Sequence, residues 1–434
     1  MWKSRANQKL RLSWSNYSRR RLSLVSYNNR NIVVALSDLE SPVTFNNVFL
    51  RDACDSPESV DISTRQKLFT TAHIGRQLSI VGEPKVVEDE GEKALEVVWK
   101  HHDGSTRTSK YLESFLKKSS TLNSRMKGKF FFDEKELWTL KEIGASLDSL
   151  HVDYQQYLAQ EPVFKQVVNN LNRFGISFIN NIEDPLENPE TQVLTADNSP
   201  QWPVAKMACR FGYVKPTFYG QLFDVKNEKN AKNIANTNVF LPLHMDLCYY
   251  ESPPGLQLLH FIQNSTLGGE NVFSDSFAAA KYVYNTDREA YEALKQVPLT
   301  FHYDNNGEYY YYMRPLIVED NYMNKVDGAP HIKEVNYSPP FQGPLELTVN
   351  DEDPQLFDDF MRGMVMFEDF VNDPKNQYIQ KTPENSCVVF DNRRVLHSRL
   401  EFSDSNGGDR WLMGCYVDGD AYRSKLRTLN RAKK

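Results

Sequence analysis

Two stretches decide how this chain is read: LPLHMDLCYY (residues 241–250) and, far downstream, NRRVLHSRL (residues 392–400). Side chains on an extended strand alternate faces, so His244 and Asp246 point one way and Met245 the other. His397 lies 151 residues beyond Asp246 and must reach the pair from a different strand. Two imidazoles and one carboxylate on one side of a metal ion leave the opposite coordination positions open. Non-haem Fe(II) oxygenases use that arrangement to take a keto acid and then O₂. A lone H-x-D recurs by chance, so the weight lies in what accompanies it.

Arg410, thirteen residues after His397, sits in DRWLMGCY (residues 409–416). On a strand, Arg410, Leu412, Gly414 and Tyr416 share one face. A guanidinium is a rigid fork of donors matched to a carboxylate, such as the distal one of 2-oxoglutarate. The alternative is an exposed ion pair at a strand end, which contributes little. Behind an H-x-D…H set, the carboxylate anchor is the favoured reading.

With 434 residues, 40% of them hydrophobic and 25% charged, the chain has the composition of a globular protein of about two domains. No apolar run approaches the roughly 18 residues of a membrane span. Cys54, Cys209, Cys248, Cys387 and Cys415 are scattered and odd in number, which points to reduced thiols. Residues 1–37 hold eight Lys and Arg and no acid before Asp38, whereas the body is acidic. That contrast predicts a mitochondrial transit peptide over 1–37 and a matrix location. The competing interpretation is a basic arm for nucleic acid, or for nothing; with an acidic body, no nucleic-acid partner is expected.

Short apolar runs between turn signals from Ile32 to His102 predict a small β module, assigned to residues 38–125. Residues 109–117 are spaced as a helix, 118–129 read as a polar linker, and 133–158 read as helical. The run 163–182 predicts helix, a stop at Gly175, then strand. From Val239 strands dominate, interrupted by helices near 278–297 and 354–373. The expected fold is mainly β with covering helices: a double-stranded β-helix (jelly-roll) catalytic domain over 126–434 behind the small N-terminal β domain. His260, inside LQLLHFI, is expected to be a hydrogen-bonded core residue.

The segments LPLHMDLCYYESPPGLQLLHFIQ (241–263), GGENVFSD (268–275), FDNRRVLHSR (390–399) and RWLMGCYVD (410–418) resemble the γ-butyrobetaine and trimethyllysine dioxygenases. These belong to the taurine-dioxygenase-like Fe(II)/2-oxoglutarate oxygenases. FNNVFLRDAC (45–54) and STRQKL (63–68) extend the resemblance into the first module. It implies Fe(II) held by His244, Asp246 and His397, with Arg410, Leu241 and Asn271 on 2-oxoglutarate and ascorbate as an auxiliary reductant. It also implies O₂ and a small-molecule substrate as reactants, a homodimer, and a place in carnitine biosynthesis. Relatives hold a trimethylammonium group in an aromatic cage, because a quaternary cation donates no hydrogen bond and is held by ring faces. Tyr219 and Tyr416 match cage positions, and Phe223 stands where butyrobetaine hydroxylases carry Trp. Asn233 matches a contact to the substrate's polar end.

Two positions depart from the family. Asn236 stands at a third cage position where an aromatic is expected; losing one wall would forfeit on the order of 0.5–2 kcal/mol, about a factor of 2–30. Relatives bind structural zinc through three cysteines and a histidine in the first module. Here only Cys54 remains, with Ser56, Ser59 and Arg107 at the other positions. One thiolate cannot build a four-ligand site, so no structural zinc is expected. These losses motivate one alternative, a non-catalytic small-molecule-binding relative. A metal hydrolase on the same ligands is another, but it leaves Arg410 without a role.

Overall fold

The computed structural model describes residues 21–75, 77–226, 234–346 and 353–431. The chain divides into two compact units, Met1–Lys127 and Gly128–Lys434, and is largely β with helices.

In the first unit, strands Ser23–Tyr27, Asn31–Ala35 and Val43–Asn46 form one antiparallel sheet. A second sheet is built around Glu92–Lys100, paired with Ser79–Ile80, Lys85–Asp89 and Thr106–Leu112. Ile32, Val34, Phe45, Leu50, Leu95, Val97, Trp99 and Tyr111 form its core. This corrects the expected presequence boundary at 37. Strands within 23–35 and the buried side chains of Leu22, Ile32, Val34 and Leu36 belong to the folded unit, so a presequence has to end before Leu22. Residues 1–20 lie outside the described residues.

The expected helix at 109–117 is also corrected. Tyr111 and Leu112 end a strand whose partner is Glu92–Lys100, and the helix occupies only Glu113–Lys118. The expected linker carries a helix, Leu122–Phe130. Around the lone Cys54 of this unit, Sγ lies 3.3 Å from Ser56 Oγ. Arg51 donates to Ser59 Oγ at 3.1 Å and to His101 Nε2 at 3.0 Å. Arg107 turns outward to Glu58. A guanidinium thus links the segments there.

The second unit contains two largely antiparallel sheets facing one another. The larger runs Leu222–Lys226, Arg410–Val417, Leu256–Asn264, Ser386–Asp391, Ile176–Asn180, His151–Asp153, with only the last pair parallel. The smaller runs Leu241–His244, Val395–Arg399, Asn271–Asp275, Gln377–Gln380. Leu259, Phe261, Val388, Phe390 and Leu412 of the larger sheet meet Phe273 and Val395 of the smaller in one core. Opposite faces of the same strands, as strand alternation requires, pack under helices. Leu258, Val389 and Met413 lie with Glu161–Arg173, Pro203–Phe211 and Gly419–Leu429. Leu243, Val272 and Leu396 lie with Ser276–Thr286, Arg288–Gln296 and Pro354–Asn372.

The stretch 133–158 is broken rather than continuously helical: short helices at Leu140–Gly144, Leu147–Leu150 and Tyr154–Ala159 flank the strand His151–Asp153. Helix Glu161–Arg173 does stop before Gly175, whose φ of 79° suits the left-handed turn into Ile176–Asn180. His260 is fully buried, but among the described residues neither ring nitrogen has a hydrogen-bond partner, which corrects the expected satisfied histidine. Burial pushes its pKa down to about 3, so the ring stays neutral.

A buried ion pair fixes the entry to the His397 strand. Arg394 donates through Nε and Nη2 to Asp275 at 3.0 and 2.8 Å, through Nη1 to the carbonyl of Arg173 at 2.9 Å, and through Nη2 to that of Glu136. Both charged side chains are completely inaccessible to solvent. Truncating Arg394→Met strands the Asp275 carboxylate in the core and should cost about 3–5 kcal/mol. Urea denaturation reads this directly, and an unchanged midpoint would refute it.

Candidate functional site

Strands Leu241–His244 and Val395–Arg399 pair antiparallel with His244 directly opposite His397, their ring centroids 4.1 Å apart. Asp246 is not on the strand, as alternation had suggested, but in the turn after it, where Leu247 adopts φ 58°. Its carboxylate nevertheless reaches the pair. Oδ1 lies 3.3 Å from His244 Nε2 and 3.9 Å from His397 Nε2. Among the described residues this is the one His/Cys/Asp/Glu group whose ligand atoms lie close enough to hold a metal ion, all within 4.8 Å. Asn392 holds the turn from both sides: its Oδ1 accepts from the Asp246 N–H at 2.9 Å, and its Nδ2 donates to the Asp246 carbonyl at 3.0 Å.

Neighbouring groups set each ligand's protonation. His244 Nδ1 lies 2.8 Å from the carbonyl of Pro242, which can only accept, so Nδ1 carries a proton and Nε2 is the nitrogen that faces the site. Burial, then the adjacent His244, pushes the His397 pKa down to about 3, leaving a neutral ring. Burial on its own would raise the Asp246 carboxyl; the hydrogen bonds it accepts, Tyr416 among the donors, hold it well below the usual carboxylate range. Asp246 Oδ2 accepts from Gln257 Nε2 and Tyr416 Oη, each at 2.7 Å. With Oδ2 engaged, Oδ1 is left for a metal.

Two guanidiniums face the same cavity. Arg410, 8% exposed, has no hydrogen-bond or ion-pair partner among the described residues, and its Nε is buried. Burial, then Arg399, pushes its pKa down to about 9; burial brings Arg399 to about 10. Both remain charged at neutral pH. A buried cation without a counter-ion is costly, so the site suits an anionic ligand. Arg399 donates to the carbonyls of Ala235 and Val239 at 2.8 and 2.6 Å. In the sheet it is flanked by Leu241 on one side and Asn271 on the other. The donor set on one side and the unpaired Arg410 on the other fit ferrous iron with a dicarboxylic keto acid.

The remaining wall is aromatic. Tyr416 and Phe223 stack at 5.0 Å, Phe223 and Tyr219 lie 6.2 Å apart, and the hydroxyls of Tyr219 and Tyr249 are 3.5 Å apart. Phe223 lies over Gly414, where a Cβ would come within 2.3 Å of its ring, so only glycine admits the ring there. The cavity, about 870 Å³ including its mouth, lies in the size range of ligand pockets. It brings together His244, Asp246, His397, Arg410, Leu241, Asn271, Tyr219, Phe223, Asn236 and Tyr416. Asn233 lies outside the described residues.

Sequence reading passed over Gln257, Tyr249, Arg399 and Asp224, all of which line the cavity. Arg399 could have been found, since it stands two residues from His397 on the same strand face. Gln257 and Tyr249 carried no such signal. Replacing Gln257→Leu removes one of the two donors to Asp246 Oδ2 and should weaken Fe(II) binding about 10–100-fold. Anaerobic Fe(II) titration tests this; wild-type affinity in the variant would count against the assignment.

A family model described as "Taurine catabolism dioxygenase TauD, TfdA family" matches residues 136–416. The chain is 36% identical to Dioxygenase str8 of Strobilurus tenacellus, covering 88% of this chain and 84% of that one. It is 26% identical to Trimethyllysine dioxygenase of Meyerozyma guilliermondii, over 89% and 90% of the two chains. To Gamma-butyrobetaine dioxygenase of Pseudomonas sp. it is also 26% identical, over 89% and 91%.

Proposed function

The chain belongs to the TauD, TfdA family of dioxygenases, and we propose that it hydroxylates a small trimethylammonium carboxylate or amino acid, with succinate and CO₂ as co-products. It is an enzyme of the Fe(II)- and 2-oxoglutarate-dependent class. The two facing sheets are read as halves of a double-stranded β-helix whose open end carries the site. In this reading His244, Asp246 and His397 hold the iron, and Arg410 pairs with the distal carboxylate of 2-oxoglutarate. When bound, iron and keto acid supply O₂ activation and C–H oxidation. Tyr219, Phe223 and Tyr416 present ring faces to the quaternary cation, and Tyr249 adds a fourth ring to a wall in which Asn236 supplies none. Asp224 lines the same cavity and adds a negative charge favourable to that cation. The apolar lining keeps bulk water from the reacting carbon.

One observation carries the reading. Tyr416 stacks on Phe223 in the aromatic wall while its hydroxyl donates to the metal-facing carboxylate of Asp246. A cation seated on that wall would lie beside the residues that would hold the iron, with its neighbouring C–H bonds within the same cavity. The two relatives named for trimethyllysine and γ-butyrobetaine support the substrate class. The purified protein, given Fe(II), 2-oxoglutarate, O₂ and a panel of γ-butyrobetaine, trimethyllysine and glycine betaine, should release succinate in step with one hydroxylated betaine. Asp246→Ala should abolish that release. No betaine-dependent succinate from the wild type, or undiminished turnover by Asp246→Ala, would overturn the proposal.

We also place the protein in mitochondria, on the acid-free basic character of the residues before Leu22 and on relatives named as mitochondrial trimethyllysine dioxygenases. A fluorescent protein fused behind residues 1–21 should enter the organelle, and a cytosolic signal would refute the placement.

A further inference from the structure

The acidic balance of the chain reverses at its last helix. Residues 419–434 carry six Lys and Arg against the single acid Asp420, although the whole chain has 57 acids to 51 bases. Helix Gly419–Leu429 packs beside Glu161–Arg173 and Pro203–Phe211. The three helices border a hollow of about 1010 Å³, counting its open mouth, where Lys206, Arg210 and Lys425 converge. Glu161 is the one acid in its lining. No lining residue is shared with the metal-site cavity. The strand Arg410–Val417 separates the two: it turns Arg410 and Tyr416 to the cavity, and Met413 and Cys415 to the core under these helices.

Surface lysines are commonly solvated and idle, so the arrangement matters more than the count. Arg210 is fixed in place. Its Nη1 donates to the carbonyl of Leu158 at 3.0 Å and to that of Tyr157, and the guanidinium lies 4.3 Å over the Phe164 ring. Its Nε and Nη2 have no partner among the described residues, which leaves one donor edge of the fork unused. Lys206 and Lys425 line the same hollow, also without an ion pair among the described residues. Three like charges gathered in one place repel, and an anion seated among them removes that cost. A guanidinium edge beside two ammonium groups matches a tetrahedral oxyanion carrying more than one negative charge. A carboxylate, with a single charge, would leave part of the set unanswered. Phe164 and Leu429 give the lining an apolar side, suited to the carbon atoms of an ester.

We propose that this hollow is a second ligand site, which binds a phosphate ester through Arg210, Lys206 and Lys425. The ester is either a free metabolite or the headgroup of a phospholipid, and the chemistry at the cations is the same for both. A ligand held there ties Pro203–Phe211 to Gly419–Leu429. The first of these helices backs the strand of Arg410 and Tyr416, with Cys415 Sγ 3.8 Å from the carbonyl of Val204, and the second follows that strand directly. The site stands apart from the metal ligands and from the choice of betaine, so either idea can fail without the other.

The test uses the full chain with inorganic phosphate, glycerol 3-phosphate, and vesicles of phosphatidylglycerol compared with phosphatidylcholine. Calorimetry reads the soluble probes and co-sedimentation reads the vesicles. Binding of glycerol 3-phosphate identifies a soluble ester; binding of phosphatidylglycerol vesicles without it identifies a headgroup. Lys206→Glu and Lys425→Glu should each weaken binding about tenfold, whereas Lys85→Glu, at an exposed lysine of the first unit, should change it less than about twofold. Glu161→Gln removes the negative charge from the lining and should tighten binding about threefold. That opposite sign separates a defined site from damage to the fold. Binding of none of the probes, inorganic phosphate held as tightly as glycerol 3-phosphate, or equal losses in Lys85→Glu and Lys206→Glu would overturn the proposal.

Discussion

The strand register that sets His244 against His397 is the constraint on which the rest of the site depends. Neighbouring strands lie just under 5 Å apart, so two histidines directly opposite on one sheet face can share a single ion with no further arrangement. The third ligand is harder to place. The carboxylate comes from a turn, and turns are the mobile part of a β fold. Asn392 removes that freedom by hydrogen-bonding both the N–H and the carbonyl of Asp246, and it sits at the entry to the strand that delivers His397. One side chain thereby ties the turn to the His397 strand. Arg394, two residues on, ties that entry to Asp275 and to the end of the helix Glu161–Arg173. A one-residue slip of the His397 strand would turn its imidazole to the opposite sheet face; the Asn392 and Arg394 contacts oppose such a slip.

How much of this was legible in the sequence follows from the range of the physical signal. Strand alternation is local, and it grouped Arg410, Leu412, Gly414 and Tyr416 on one face, of which Arg410, Leu412 and Tyr416 line the cavity. Alternation paired His244 with Asp246 for the wrong reason, since the carboxylate reaches the site from the turn after the strand. Gln257 was not legible, because its contact with Asp246 depends on which strand lies beside which, and register is not written in any single segment. Tyr249 sits in an irregular turn where no period applies. The residues 133–158 misled because charged residues at helical spacing also suit short helices broken by a strand, and Val152 is claimed by the larger sheet. The presequence boundary misled because basic residues flank Leu22 and Ile32, and composition averages over the strands that bury them.

Electrostatics makes the cavity selective before any ligand shape is considered. Arg410 and Arg399 are held where burial disfavours their charge, with Arg410 lacking a carboxylate among the described residues. Asp246 is held as carboxylate although burial opposes it. Positive charge thus gathers at one end of the cavity and a ligand carboxylate at the metal end. A divalent cation held by His244, Asp246 and His397 would answer the carboxylate, and a ligand bearing a carboxylate would answer Arg410.

Tyr416 then links the three functions of the pocket through one side chain. Its ring belongs to the wall that would hold the substrate, its hydroxyl donates to the ligand carboxylate, and its strand begins at Arg410. Burial, then the charge of Asp246, raises its pKa well above the ordinary phenol, so it stays protonated and keeps donating. Phenylalanine at 416 would keep the wall but leave Asp246 Oδ2 with Gln257 as its one remaining donor. The hydroxyl therefore serves the Asp246 carboxylate and the ring serves the aromatic wall.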